Sequence, residues 1–558
     1  MNAQAQIVNC GDPTGPDVIV GDLTGPANYA AVGGIEALSL GTTSCNMGQT
    51  WLNWFQNTNQ HPVIGGALYR FQRFGNGVTQ FEQVGISWLK HGFFALSQNL
   101  CGCGCAGTDG THLGVGCSDP YTAGRNGTQA PSGGLQGLGP RWQVNANTGI
   151  FTFPPANPAF AGTVARRLEV AQTDLAVNTV DNRYFGESQY VSPDDAAAGN
   201  QNNNSSYREV SYNGTATFGY IGTTVRQQPG INAWKVCDPT VTLVPHELTN
   251  EGLYVLGYDV TDLGGGTWHY EYSLYNMNSD LSGQSFTVPV PAGINVTNIG
   301  FRDVTYRNGD GPGSVNFSGT DWVGVRNAND VSWATETFAS NPSANALRWS
   351  TTYSFRFDAD AAPAAANVAL GLFKNPGAGP ALIASQAPAS TLAAVAYCFG
   401  DGSLSTPCPC VLPFTVPNPS GATDAGCANS FDLNGAKLTA SGSANPDSVV
   451  LEAEQLTPSG FTFWISGDST IPNGIPNGDG VQCAGGNFIR FGGQNAVGGT
   501  ATYPNPGLGL TVPLSTATGV VPGSGSVRYM QAFYRNAVAN FCNLSTYNVS
   551  NAVELTWN

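Results

Sequence analysis

Apolar residues along this chain alternate with polar ones far more often than they recur at helical spacing. In "TWHYEYSLYNM", residues 267–277, Trp268, Tyr270, Tyr272 and Leu274 share one side of an extended strand, because successive side chains of a strand point to opposite faces. The preceding "YVLGYDVTDLGGG" supplies a second run and a glycine turn, so 253–277 reads as a β-hairpin. "LRWSTTYSFRFDAD" (347–360) and "SVRYMQAFYRNA" (526–537) have the same character. Short aromatic and β-branched runs punctuated by Gly, Pro, Asn and Asp predict an all-β protein of several β-sandwich modules, Ig-like or jelly-roll in type, with long Gly/Asn/Pro-rich loops. No solenoid or propeller period is present.

A chain of 558 residues is too long for one core, and two composition shifts divide it. "CDPTVTLVPHELTN" (237–250) is Pro-punctuated, and "APAAANVALGLFKNPGAGPALIASQAPAS" (362–390) is rich in Ala, Pro and Gly. The expected regions are 1–248, which contains cysteines and long loops; 249–395, a cysteine-free sandwich; and 396–558, a Cys-rich sandwich. Without cysteines, the middle region must rest on an aromatic core that includes some of Trp268, Trp322, Trp333 and Trp349. "YVSPDDAAAGNQNNNSSYREV" (190–210) reads as a long polar loop.

Composition narrows the partners. Charged residues are only 10% of the chain, the net charge is −16, and acid exceeds base in each of the three regions. Nucleic acid and anionic lipid both require clustered Lys or Arg, so neither is an expected partner. A helical span needs about 20 apolar residues in a row, and no run approaches that length. A hydrophobic content of 41% nevertheless requires a folded core. The polar surface is left to Asn, Ser, Thr and Gln, which suits an extracellular or cell-surface location. "AQA" at 3–5 matches the small-residue pattern of a signal-peptide cleavage site, which places Met1 near a mature N-terminus.

The cysteines sharpen this reading. Thirteen are distributed as seven in the first region and six in the last, at 398, 408, 410, 427, 483 and 542. The even, widely spaced C-terminal set predicts three disulfides among Cys398, Cys408, Cys410, Cys427, Cys483 and Cys542, with the pairing open. "NLCGCGCAGTDGTHLGVGC" (99–117) is more ambiguous. In an extended run Cys101, Cys103 and Cys105 would point the same way about 6.6 Å apart. With Cys117 or His112 they offer the sulfur and nitrogen set that zinc takes, and His91 joined to His112 is a further copper or zinc candidate. Thiolate metal sites are usually built on C-x₂-C knuckles, however, and an oxidising compartment pairs thiols, so structural disulfides are preferred over metal or redox chemistry. Seven is odd, so one cysteine of the first region must be free, pair across regions or pair with another molecule.

Other chemistry is sparse. "PHELTN" (245–250) lacks the second histidine of a zinc-protease helix, no Gly-x-Ser-x-Gly elbow occurs, and "SGDST" (466–470) has no histidine after it. No rule picks a glycosidase carboxylate pair from the sequence. No catalytic cofactor is expected. Calcium is the one structural ion considered: Asp194, Asp195 and Asn200 in "SPDDAAAGNQNNN", and the acidic turns at 308–313 and 477–481, offer hard oxygen ligands without EF-hand spacing.

"YCFGDGS" (397–403), "CPC" (408–410), "GCANS" (426–430), "GAKLTASG" (435–442), "GDGVQCAGG" (478–486), "RYMQAFYRNA" (528–537), "FCN" (541–543) and "YNVSNAVELTW" (547–557) together resemble a C-terminal domain of large secreted proteins of planctomycete-type bacteria. "DVIVGDLTG", "HPVIG", "LGVGCSDPY" and "SPDDAAAGNQNNN" resemble other modules of those proteins. The resemblance implies export and a modular β-rich surface protein; it implies no activity. The expected function is a structural or adhesive protein of a bacterial surface or extracellular matrix. It would self-associate through strand edges, with "AQAQIVNC" as a donated strand, or bind a surface polysaccharide. The alternative is a secreted polysaccharide-active enzyme or carbohydrate-binding protein with its site in the first region, and whether the chain is an enzyme stays open, with the non-enzymatic reading preferred.

Overall fold

The computed structural model describes residues 10, 13–215, 217–389, 392–409, 423–538, 541–542 and 545–557; of the expected donated strand, 3–10, all but Cys10 lies outside them. The architecture is all-β. Among the described residues the longest helix, Asn232–Cys237, has 6 residues.

The chain gathers into two compact units: the described residues of Met1–Val288, Val296–Asp360 and Ala365–Ala387 in the first, and those of Pro289–Asn295, Ala361–Ala364 and Pro388–Asn558 in the second. The first unit holds two sheet systems. One follows the strand order Val18–Val32, Ile35–Asn46, Leu168–Ala171, Thr79–Ile86, Val63–Arg73, Asn182–Val191, Ser205–Tyr212, Phe218–Val225. This sheet rolls until its end strands face each other: Phe218 N donates to Asn28 Oδ1 at 3.0 Å, and Leu23 N donates to Thr224 Oγ1 at 2.9 Å. Rolling shields edges that would otherwise present unpaired backbone groups. Trp54, Tyr121 and Tyr190 are among the side chains packed inside.

The second system is a sandwich of two five-stranded sheets. The expected hairpin is present as Gly252–Gly264 paired with Thr267–Asn276, closed by Gly264, Gly265 and Gly266 at φ of 80°, 64° and 82°, a left-handed region that L side chains avoid. Thr351–Ala359 pairs on the far side of the hairpin and Val296–Arg302 follows it. Phe286 and Trp333 from the opposing sheet pack on Tyr272, Phe355 and Phe357, with ring centroids 4.4 Å apart for Phe286 and Phe355. Trp322 and Trp333 belong to this core, whereas Trp268 is half-buried.

Only one face of Thr267–Asn276 reads as apolar, yet both are covered. Glu271 and Ser273, on the polar face, are buried against the rolled sheet: Ser273 Oγ donates to Phe81 O at 2.7 Å, and Arg356 bridges Glu271 at 2.9 Å and Glu82 at 2.6 Å. The two sheet systems also share an apolar cluster containing Tyr69, Phe81, Trp234 and Tyr275. The polar loop expected over 190–210 is shorter than its composition suggests, because Asn182–Val191 and Ser205–Tyr212 run as strands into both of its ends.

The second unit is a further sandwich. A five-stranded sheet in the order Ala393–Tyr397, Tyr547–Trp557, Ser526–Arg535, Phe461–Gly467, Ile489–Asn495 shares with a three-stranded sheet a core of Trp464, Trp557, Tyr503, Leu438 and Leu451.

Candidate functional site

The Cys101–Cys117 loop is stapled by disulfides: Cys45–Cys101, Cys10–Cys103 and Cys105–Cys117. A disulfide sulfur is not the thiolate that zinc binds. In the last region Cys398 pairs with Cys483 and Cys408 with Cys427; Cys542 is disulfide-bonded, and Cys410 lies outside the described residues. The odd cysteine is Cys237, a free thiol pushed up to about 11 by burial.

His91 and His112 are not each other's neighbours. His112 packs against Trp51 and Phe55 and shares a hydrogen bond with Thr111 Oγ1 at 3.0 Å. His91 meets His61, ring nitrogen to ring nitrogen at 3.0 Å, beside Phe151 and Phe153. Burial pushes His61 down to about 4 and His91 well below its ordinary value, so both are neutral at pH 7. Among the described residues no group of three or more His, Cys, Asp or Glu is placed to hold a metal ion. Asp194 and Asp195 lie on the short helix Pro193–Ala197, and Asn200 follows it.

A concave site walled by aromatic rings lies elsewhere in the first unit. Asn276 faces Thr351, Gly283 faces Leu372 and Arg302 faces Ser354, so the loops leaving these strands all emerge at one end of the sandwich. Those loops, with the turn Arg141–Gln143 of the first region, enclose a cleft of ≈ 330 Å³. Its walls include Trp142, Trp349, Phe317, Phe338 and Tyr306, and its charged groups are Arg141, Arg348, Lys374, Asp280 and Asp310.

Each cation is held in place. Arg141 Nε donates to Ser87 O at 2.7 Å, its Nη2 to Gly66 O at 3.3 Å, and its guanidinium lies 4.9 Å from the Trp349 ring centroid. Glycine at 65 permits this approach, since a Cβ there would stand 2.6 Å from Nη2. Arg348 Nη2 donates to Ala344 O at 3.0 Å, and its guanidinium covers the Phe317 ring at 3.6 Å. Lys374 contacts both oxygens of Asp280 at 2.8 Å. Burial raises the Asp310 carboxyl, with Arg141 opposing the shift. Arg141 Nη1, Arg348 Nε, Trp142 Nε1 and Asp310 Oδ1 find no hydrogen-bond partner among the described residues. An aromatic-walled cleft with a few fixed polar groups has the usual form of a small-ligand site.

Known proteins add little. No protein-family model matches this chain, and no curated protein does. Among solved structures, the serine-rich repeat adhesion glycoprotein Srr1 of Streptococcus agalactiae aligns over 64% of this chain and 89% of its own, at 9% identity and a TM-score of 0.17. So loose a superposition transfers nothing to this chain.

Sequence reasoning placed no site at this cleft. The available signal is a repeated dipeptide: Arg141-Trp142 in "PRWQ" and Arg348-Trp349 in "LRWS" both line it, in a chain with few basic residues.

Proposed function

We propose that this is a secreted adhesive protein of a bacterial surface or extracellular matrix that grips sugar units of a polysaccharide in the cleft of its first unit. One observation carries the reading: aromatic planes and immobilised guanidinium donors converge on a cavity sized for one or two sugar rings. Pyranose faces stack on aromatic rings while ring hydroxyls accept from fixed donors. Three cations against two carboxylates favour neutral or acidic sugars over basic ones. The charged groups are tied to backbone carbonyls or to each other, which suits holding a ligand better than moving protons. Disulfide stapling and a weakly charged surface support the extracellular setting.

The test uses the full chain against immobilised polyuronate and neutral glucan. Retention is expected, and Phe338→Ala is expected to weaken it about tenfold, the value of one lost aromatic contact. Phe338 is 38% exposed at the cleft, so the thermal midpoint should hold. Failure of both polymers to retain the wild type, or unchanged binding by a folded Phe338→Ala, would refute the proposal.

A further inference from the structure

The loop 192–204 folds back onto the start of the first strand, and two carboxylates end up buried there together. Asp17 immediately precedes Val18–Val32, and Asp195 sits on the short helix Pro193–Ala197; both are 0% exposed. Asp195 Oδ1 accepts from Val18 N at 2.8 Å and its Oδ2 from Asn204 Nδ2 at 2.8 Å. Asp17 Oδ2 accepts from Asn203 Nδ2 at 3.3 Å. What remains consists only of acceptors: Asp17 Oδ1, Asn203 Oδ1 and Asn204 Oδ1 are buried with no hydrogen-bond partner among the described residues.

Among the described residues no cation compensates the pair. The charged groups acting on Asp195 are Asp17 and Asp194, both of its own sign, and none of the influences on Asp17 is a Lys or Arg. A buried carboxylate with neither a cation nor a full set of donors is costly: without a ligand, burial raises Asp17 to about 6 and Asp195 well above its ordinary value, so the pair takes up protons, and a bound metal ion would replace those protons. We propose that Asp17 and Asp195, with the side-chain oxygens of Asn203 and Asn204, bind one hard divalent cation, calcium in preference to magnesium.

Carboxylate and amide oxygens without nitrogen or sulfur match the ligands calcium takes, and calcium accepts irregular geometry where magnesium requires an octahedron. A half-turn of the Asn203 and Asn204 amides, which exchanges groups of nearly equal size, presents oxygen where the carboxylates now meet nitrogen. Two carboxylates supplemented by amides form a set distinct from a cluster of three or more acids. Asp194 and Asn200 have other duties. Asp194 accepts from Asn53 N at 2.7 Å and Ser192 Oγ at 2.6 Å, while Asn200 Nδ2 donates to Pro16 O at 2.8 Å and latches the loop. The cation would tie the loop to the first strand independently of what the cleft binds.

The experiment is calorimetric titration and thermal unfolding of chelator-treated full chain with calcium chloride or magnesium chloride alone. Saturating calcium is expected to raise the unfolding midpoint of the first unit by roughly 3–6 °C, with magnesium giving less than half of that. Asp17→Asn and Asp195→Asn are near-isosteric, and each should abolish the calcium shift. Asp194→Asn should keep the shift. An unshifted wild type, a full shift in a folded Asp17→Asn and Asp195→Asn pair, or an equal response to magnesium would each overturn the assignment.

Discussion

At Glu187 a single side chain shows how burial becomes pH dependence. The carboxyl is enclosed, accepts from Tyr275 OH at 3.0 Å and from Gly230 N, and burial raises it from 4.5 to about 7. Between those values the folded chain keeps a proton that the unfolded chain releases, so stability falls as pH rises from about 4.5 to about 7 and then levels. Glu187→Gln should remove that slope, worth roughly 3 kcal/mol in this fully buried setting. Urea denaturation of both proteins at pH 4.5, 6 and 8 measures it; parallel curves would contradict the cause given. Nothing in "YFGESQYV" identifies Glu187 as enclosed, because the residues that close over it, Gly230 and Tyr275, are remote in sequence.

Among the elements, the decisive contact is the polar face of Thr267–Asn276 against the rolled sheet. Arg356 joins Glu82 and Glu271, Arg70 reaches Glu82 at 2.6 Å, and His269 bridges Glu271 at 3.2 Å and Asp358 at 2.6 Å. Burial would raise Glu82, but Arg356 and Arg70 hold it below its ordinary 4.5. Its contribution is therefore present above pH 4.5 and lost as pH falls through the lower folded value. Removing one partner of a buried pair leaves the other charge uncompensated, so Arg356→Met should cost about 3–5 kcal/mol, read as a shift in the urea midpoint at pH 7. A loss under 1 kcal/mol would mean that water reaches these carboxylates. Alternation placed Tyr270, Tyr272 and Leu274 on one side of the strand, and all three are buried. Glu271 and Ser273 on the other side are buried as well, because alternation reports chemical type and an ion-paired polar face can be covered too.

For the whole molecule, the disulfides and the free thiol set the redox behaviour. Cys237 is partly covered, accepts a hydrogen bond from Arg183 Nη1 at 3.2 Å, and burial raises its thiol. A neutral, covered thiol reacts slowly. In the native, unreduced protein Cys237 should resist a maleimide over the time in which an exposed thiol is consumed, and Cys237→Ser should remove one thiol titrated in denaturant. Rapid native labelling lost in that variant would show that the thiol is open to solvent. Cysteine count and spacing predict disulfides in both cysteine-bearing regions, but which of Cys101, Cys103 and Cys105 reaches Cys10, Cys45 or Cys117 depends on where the strand Ile35–Asn46 carries Cys45.

By itself the sequence determined the strand-forming alternation, the glycine turn at 264–266, the acidic balance and the parity of the cysteines. Each of these is local or additive along the chain. The tertiary structure alone decided that Arg141 meets Trp349 across a cleft, that His91 meets His61 and not His112, and that Asp17 and Asp195 are buried together. These outcomes depend on which strands pair and which loops leave the same end of a sheet. Strand pairing is fixed by the burial of whole faces, a sum over residues hundreds of positions apart that no local spacing encodes.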